Sequence, residues 1–498
     1  METRSGRLSH SMFRAVAGRL LFASVALVIL SGCQGTTTQS ASPAQPSSSK
    51  RLVGLWMTTP DGKHRLDFVS PDEIPATGDY QVHVSIDTGV RYQKMIGMGA
   101  AITDASADLL QHTLPATERS DLIRELFDPD AGLGLSFTRV VIGASDFSTR
   151  HYSLDDSPGN EPDPNLSHFS IDPLKETVIP TLQAARQANP SLVVMASPWS
   201  PPAWMKTSKS LITGRLLRSA YQPFADYLVK TVREFGENGI PVDYISLQNE
   251  PDFEPADYPG MRLPARERAE LISDFVGPAF AASGLDVQIL EWDHNWDQPQ
   301  QPLDVLSDAE AAAFVSGVAW HCYAGDVAAQ DMVRRRHPDK DVFFTECSGG
   351  EWSSEWPDAW SWTMENLIIG ATQNWARGVL LWNIALDEDY GPHLGGCGNC
   401  RGVVTVSRET GKVTRNQEYY ALAHYSRFVD PGAYRIEAIS SSATVKVVAF
   451  QNPNGEIVLI AFNSGDGSVD LKVDVSDTPG SIKVLSRSAI TAVWAIAG

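Results

Sequence analysis

The sequence is poor in the residues that mark most other chemistries. Five cysteines in 498 residues are too few for a disulfide-dense scaffold, and the single Cys-x-x-Cys, Cys397-Gly-Asn-Cys400, has no second copy to complete a zinc ribbon. The eleven histidines include neither His-x-His nor His-Glu-x-x-His, so no metal is expected. There is no Gly-x-x-x-x-Gly-Lys-Ser/Thr phosphate loop and no Gly-x-Ser-x-Gly nucleophile elbow. Gly97-Met-Gly99-Ala-Ala-Ile102 opens like a dinucleotide fingerprint but lacks its third glycine, so no cofactor is expected either. Basic residues are scarce as well: 40 Lys and Arg face 60 Asp and Glu, a formal charge of -20. Such a surface repels nucleic acid and anionic headgroups, which excludes partners of both kinds.

What is present begins with an address. Arg4, Arg7, Arg14 and Arg19 precede the apolar run Leu20–Leu30, which is too short for a span of roughly 20 residues. Leu30-Ser-Gly-Cys33 closes it and resembles the lipobox of bacterial lipoproteins. By that resemblance Cys33 is a lipid anchor, and Gln34 beside it points to the outer membrane, on its periplasmic face or at the cell surface. The other reading is an ordinary signal peptide and a secreted protein; both export the chain. With the leader's four Arg and one Glu removed, the remainder carries -23, so membrane contact is expected only through the lipid. Residues 34–50, rich in Ser, Thr, Gln and Pro, cannot bury enough apolar surface to order themselves and read as a tether.

From Lys94 the chain repeats one unit, a short apolar strand followed by a polar turn and an amphipathic helix. The strands read as 95–102, 135–142, 192–196, 244–248, 287–291, 317–321, 342–345 and 378–383, with helices at 174–187, 220–235, 266–282 and 359–375. Eight alternations predict an α/β fold, a (β/α)8 TIM barrel over residues 94–430. Alternating strands take over from 431 to 498, with Asn454-Gly455 as a hairpin turn, and predict a side β-sandwich that strands from 51–93 complete.

The carboxyl ends of barrel strands line the active site. Two strands end in a glutamate: Asp341-Val-Phe-Phe-Thr-Glu346, followed by Cys-Ser-Gly-Gly, and Asp243-Tyr-Ile-Ser-Leu-Gln-Asn249-Glu250, followed by proline. A lone terminal Glu can simply cap a strand; two among eight such ends suggest a shared site. The other ends supply Thr103-Asp104, Ser145-Asp146, Trp199, Asp293-His-Asn-Trp296, His321-Cys-Tyr323 and Trp382-Asn383. Indole faces stack on sugar C–H faces while Asp, Asn and His bond hydroxyls, so the mixture suits a pyranose. Trp320, Trp352 and Trp375 read as core packing, and Cys322 and Cys347 as buried thiols. Cys397 and Cys400 fit a small disulfide better than a redox motif or half a zinc site.

Gly97-Met-Gly-Ala-Ala-Ile-Thr-Asp104, Ala196-Ser-Pro-Trp-Ser-Pro-Pro-Ala-Trp204-Met-Lys206, Gln248-Asn-Glu-Pro251, Thr345-Glu-Cys347 and Leu381-Trp-Asn-Ile-Ala-Leu386 together resemble glycoside hydrolase family 30, most closely its glucosylceramidase branch. The resemblance implies a retaining β-glycosidase with Glu346 as nucleophile and Glu250 as acid/base. It also implies that Arg139, Asp146, Trp199, Asn249, His321, Tyr323 and Trp382 cradle the sugar, and Asn383 is grouped with them. Retention requires carboxyls roughly 5–5.5 Å apart, and the neighbouring carboxylate is expected to raise the pKa of Glu250. The loop Gly391–Gly402 departs from lysosomal glucosylceramidases and resembles bacterial members, β-1,6-glucanases among them. The expected substrate is thus a carbohydrate or glycolipid: glucosylceramide, or a β-1,6-glucan cut internally. A non-catalytic carbohydrate-binding lipoprotein is the alternative from another class, disfavoured because it has no need of both glutamates.

Overall fold

The computed structural model describes residues 50–70, 72–353, 356–476 and 478–496. The leader, Cys33 and most of the tether lie outside the described residues. Lys50, which composition places in the tether, already belongs to a strand. No helix among the described residues is long and apolar enough to cross a membrane.

Eight parallel strands close into a barrel. They are β1 (Gly97–Ala101), β2 (Phe137–Ile142), β3 (Val193–Pro198), β4 (Tyr244–Ser246), β5 (Gln288–Asn295), β6 (Val315–His321), β7 (Asp341–Glu346) and β8 (Ala376–Asn383). All eight predicted strands are present. A strand covered on both faces is buried along its length, as Phe-Thr-Arg-Val-Val-Ile in β2 is, and its two polar residues, Thr138 and Arg139, are both hydrogen-bonded. At Gly99 in β1 an added Cβ would lie 1.9 Å from the Phe137 carbonyl oxygen, so glycine is what lets β1 and β2 lie side by side. Phe137, Met195, Leu290, Ala319, Phe343 and Leu380 form an apolar layer inside the barrel. Tyr244 packs on Phe343 with ring centroids 4.8 Å apart. This plug leaves the carboxyl ends as the place where polar side chains converge.

Two strands end differently from their sequence pattern. β4 leaves the ladder at Ser246, two residues before the predicted end, while β5 continues four residues past Glu291. Trp292 and Asp293 take left-handed backbone angles, φ 76° and 55°, where the pairing with β6 slips. Such a bulge re-aims side chains, and here it turns Asp293 into the barrel mouth. The predicted helices at 266–282 and 359–375 are each interrupted by widened, π-type turns, at Ile272–Val276 and Thr363–Ala371.

A nine-stranded sheet forms the side β-sandwich around its own apolar core. Lys50–Thr58, Arg65–Phe68 and Val82–Lys94 come from before the barrel and the other six strands from after it. Val445–Gln451 and Ile457–Asn463 form the predicted hairpin, with Gly455 at φ 90° in its turn. Sheet and barrel meet along the helix Gln417–Ser426. There the buried His424 bonds Thr491 Oγ1 through Nδ1 and Thr58 Oγ1 through Nε2, both at 2.9 Å.

Candidate active site

β7 delivers Glu346 to the barrel mouth directly. Glu250 arrives by a less regular route, since the chain has already left β4. Asn249 N–H donates to the Pro198 carbonyl at 2.8 Å and Glu250 N–H to the Asp293 carbonyl at 3.0 Å, which fixes the segment between β3 and β5. Glu250 has φ 48°. A non-glycine residue held in that region costs about 1–3 kcal/mol, and such strain gathers at functional sites.

Beneath both glutamates lies Arg139 of β2, fully buried. Its guanidinium donates to Glu346 Oε2, to Asp293 Oδ2 at 2.7 Å and to Asn249 Oδ1 at 2.8 Å. Its planar fork reaches these acceptors from two separate nitrogens, a spread that the single nitrogen of a lysine does not have. Trp199 and Trp382 stack above it with centroids 5.0 Å apart, and the guanidinium lies 4.7 Å from the Trp199 ring. Asp293 also accepts from Ser197 and Ser246 hydroxyls on Oδ2, at 2.9 and 2.6 Å, and from Thr345 on Oδ1 at 2.7 Å. Burial alone would raise its pKa, but Arg139 and His321 hold it far below the usual carboxylate range.

His321 bridges two carboxylates, with Nδ1 3.1 Å from Glu250 Oε1 and Nε2 3.0 Å from Asp293 Oδ1. Burial opposes its charge, but Glu346, Asp293 and Glu250 together raise its pKa to about 9. It is therefore an imidazolium at neutral pH. His294 Nδ1 lies 3.3 Å from the same Glu250 oxygen. Glu250, His294 and His321 are close enough to share a cation.

The two glutamates are shifted in opposite directions. Burial raises Glu346, assisted by the negative charges of Glu250 and Asp293 and opposed by His321 and Arg139. Tyr323 Oη donates to its Oε1 at 2.9 Å. For Glu250 the expectation of a raised pKa is corrected. Burial does push it up, yet the imidazoles of His294 and His321 outweigh that and hold it well below the ordinary value. The proton associated with this carboxyl rests on the neighbouring ring. Asp146 is raised to about 8 by burial and by the charges of Glu346 and Glu250, so it is neutral at pH 7 and able to donate.

Asp146, Trp199, Asn249, Glu250, Tyr323, Glu346 and Trp382 line one cavity of about 520 Å³. Arg139, His321 and Asn383 stand behind that wall. Asn383, grouped with the sugar-binding residues by sequence, accepts from Thr103 Oγ1 at 2.6 Å and is 1% exposed. Sequence reasoning did not single out Phe253, Asp257, Tyr258 and His294, which also line the cavity. Only His294, in the cluster after the predicted fifth strand, carried a signal. The Cys397–Cys400 disulfide closes the loop on the far side. In that loop Gly396, at φ 64°, packs so tightly on Asp146 that an added Cβ would lie 2.5 Å from the Asp146 Cβ.

Two further expectations are overturned. Cys322 and Cys347 are not separate thiols but a disulfide. β6 and β7 are lateral neighbours with His321 opposite Glu346, so the residues that follow these two come side by side. Trp352 is not core: it is 57% exposed and, with Tyr323, forms the wall between this cavity and an adjoining one of about 590 Å³. Trp320 is fully buried, and Trp375 is partly buried with the Arg334 guanidinium 4.8 Å from its ring.

Residues 95–429 match the glycosyl hydrolase family 30 TIM-barrel domain and residues 432–492 the family's beta sandwich domain. The chain is 35% identical to the endo-1,6-beta-D-glucanase neg1 of Aspergillus fumigatus over 79% of this chain and 83% of that protein. It is 31% identical to the putative glucosylceramidase 1 of Caenorhabditis elegans, over 83% of each chain. Among solved structures, the endo-beta1,6-glucanase BT3312 superposes with a TM-score of 0.82 at 29% identity, covering 89% of this chain and 99% of that one. With a barrel mouth that gathers two glutamates, a buried arginine and stacked indoles, and with residues 95–429 and 432–492 matching the two family domains, the chain belongs to glycoside hydrolase family 30.

Proposed function

We propose that the chain hydrolyses β-glucosidic bonds with retention of configuration, with Glu346 as nucleophile and Glu250 as acid/base. The observation that carries this reading is that both carboxylates open into one cavity, each held by its own set of hydrogen-bond partners. Glu346 is fixed by Arg139 and Tyr323 for attack, and Glu250 sits beside the protonated His321. Glu346 attacks the anomeric carbon while Glu250, protonated from His321, passes the proton to the leaving oxygen. Glu250, again a carboxylate, then takes a proton from water, whose oxygen displaces Glu346 from the glycosyl carbon. Asn249, with its amide oxygen held by Arg139, keeps its NH2 free to bond a sugar hydroxyl. Trp199 and Trp382 supply the apolar wall.

The substrate class the reading favours is a β-1,6-linked glucan. Its support is the greater identity to the glucanase relative and an adjoining cavity with room for further sugar units. A glucosylceramide-type glycolipid is the second reading, favoured by the apolar Leu367, Leu381 and Trp362 in that same cavity. Proton NMR of the first product from a β-1,6-glucan, a glucosylceramide and an aryl β-glucoside tests both levels. A β-anomer is expected, with the glucan cleaved faster than the glycolipid; an initial α-anomer overturns the mechanism.

The reading extends to location. The leader and the two disulfides together support export, with Cys33 as the lipid attachment site. Cys33→Ala should move the protein from the membrane fraction to the soluble one; unchanged fractionation overturns the anchor.

A further inference from the structure

The disulfide Cys322–Cys347 joins two residues that each follow a strand-terminal residue of the site. Cys322 lies between His321 and Tyr323, and Cys347 follows Glu346. It is a covalent rung just past the last pair of the β6–β7 ladder, where His321 stands opposite Glu346 and the register has already slipped. On the β7 side the chain then runs into Ser348-Gly349-Gly350, glycine-rich and held by a short two-residue pairing of Gly349 with Arg401 and Gly350 with Cys400. On the β6 side Tyr323 is 45% exposed, so packing does not fix its ring. What fixes it is the hydrogen bond from its backbone N–H to Asn295 Oδ1 at 2.9 Å, the adjacent disulfide, and the hydroxyl contact to Glu346 at 2.9 Å. Cys347 is anchored in turn, its carbonyl accepting from Trp382 N–H at 2.8 Å.

We propose that Cys322 and Cys347 are positioning residues: their bond holds the Tyr323 hydroxyl against the Glu346 carboxylate and so sets the aim and the ionisation of the nucleophile. The inference rests on the proposed role of Glu346. A displaced Tyr323 removes a hydrogen bond that favours the carboxylate form, so Glu346 would ionise at a higher pH. The nucleophile, no longer braced, would spend less time in the attacking geometry. Reduction by a dithiol is balanced: the protein disulfide gains two electrons and two protons to become two thiols, while the reductant closes to its own cyclic disulfide.

The test is a double-mutant cycle on the full chain, with an aryl β-glucoside as substrate, comparing wild type, Cys322→Ala/Cys347→Ala, Tyr323→Phe and the triple variant. Loss of the disulfide should lower kcat roughly 10- to 100-fold with KM changed less than about threefold, and should move the acid limb of the pH profile upward. Tyr323→Phe should do the same. In the triple variant the two effects should not multiply, because both act on one contact. Full kcat without the disulfide, an unmoved acid limb, or fully multiplicative effects would overturn the proposal. Should the cysteine variants not fold, the oxidised wild type is treated with dithiothreitol, the reduced cysteines are assigned by alkylation and peptide mass, and Cys397→Ala/Cys400→Ala is carried alongside to separate the effect of the second disulfide; activity should return on reoxidation of Cys322 and Cys347. Failure to return activity once the bond has re-formed would also count against it. A wild type inactive on every β-glucoside would remove the proposed function and this inference together; wild-type activity that ignores the disulfide would remove the inference alone.

Discussion

His321 donates through Nδ1 to Glu250 Oε1 over 3.1 Å, so the proton a leaving group needs is stored one hydrogen bond away from the carboxyl that delivers it. Since the imidazolium persists up to about pH 9, kcat/KM should fall as pH rises through that value. In His321→Asn the basic limb should move away from pH 9. Activity should also drop far more for an alkyl glucoside than for a dinitrophenyl glucoside, which leaves without a proton. A profile and leaving-group dependence like the wild type's would show that His321 plays no part in proton supply.

Replacing either glutamate by Gln should separate the two roles. Glu346→Gln should abolish turnover on every substrate with little effect on the unfolding midpoint, because a strained, charge-crowded site is not what stabilises the fold. Glu250→Gln should lose roughly 10²–10⁴-fold on poor leaving groups, keep much of the first step on dinitrophenyl glucoside, and regain product formation with azide. Steady-state rates on the two substrates, with and without azide, decide the assignment.

Arg139→Met should be harmful to fold and site alike. It leaves Glu346 and Asp293 buried without their shared cation, and uncovering a buried charge in this way costs about 3–5 kcal/mol. Arg139→Lys should rescue part of the stability but little activity, since a single ammonium nitrogen lacks the span by which Nη1 holds Glu346 while Nη2 holds Asp293 and Asn249. Denaturant unfolding and kcat/KM of the two variants make the comparison.

His424, where barrel meets sheet, makes stability pH-dependent. Burial lowers its pKa from 6.5 to about 3. Between these values the unfolded chain binds a proton that the folded chain does not, so stability falls as pH falls through the window and is unaffected above it. The slope from this one group is about 1.4 kcal/mol per pH unit. His424→Gln, which can still bond Thr58 and Thr491, should unfold with a shallower acid dependence from pH 6.5 downward; an unchanged slope would show that the ring is not held neutral.

The barrel was legible because strands buried on both faces must be written as continuous apolar runs. Glu346 stood out because such a run ends on it. Other features depend on lateral neighbours that a linear reading does not display. Cys322 and Cys347, 25 positions apart, meet only because β6 and β7 lie side by side. The low pKa of Glu250 comes from two imidazoles carried by other strands, whereas the sequence displayed only a second carboxylate. Asp293 was visible as one of a polar cluster, but its aim into the mouth follows from the left-handed bulge at Trp292 and Asp293. Trp352 shares its residue type with buried tryptophans, and only the turn after Gly350 places it at the surface.

The strand Ala489–Ile496 is hydrogen-bonded along one edge to Lys50–Thr58 and along the other to Ile457–Asn463. These partners on the first edge are separated by 431 positions (Thr58 and Ala489) to 446 (Lys50 and Ile496), a very late contact to form. A chain emerging in order can therefore build its barrel while the first sheet segment waits, its edge open to other molecules, until the final strand arrives.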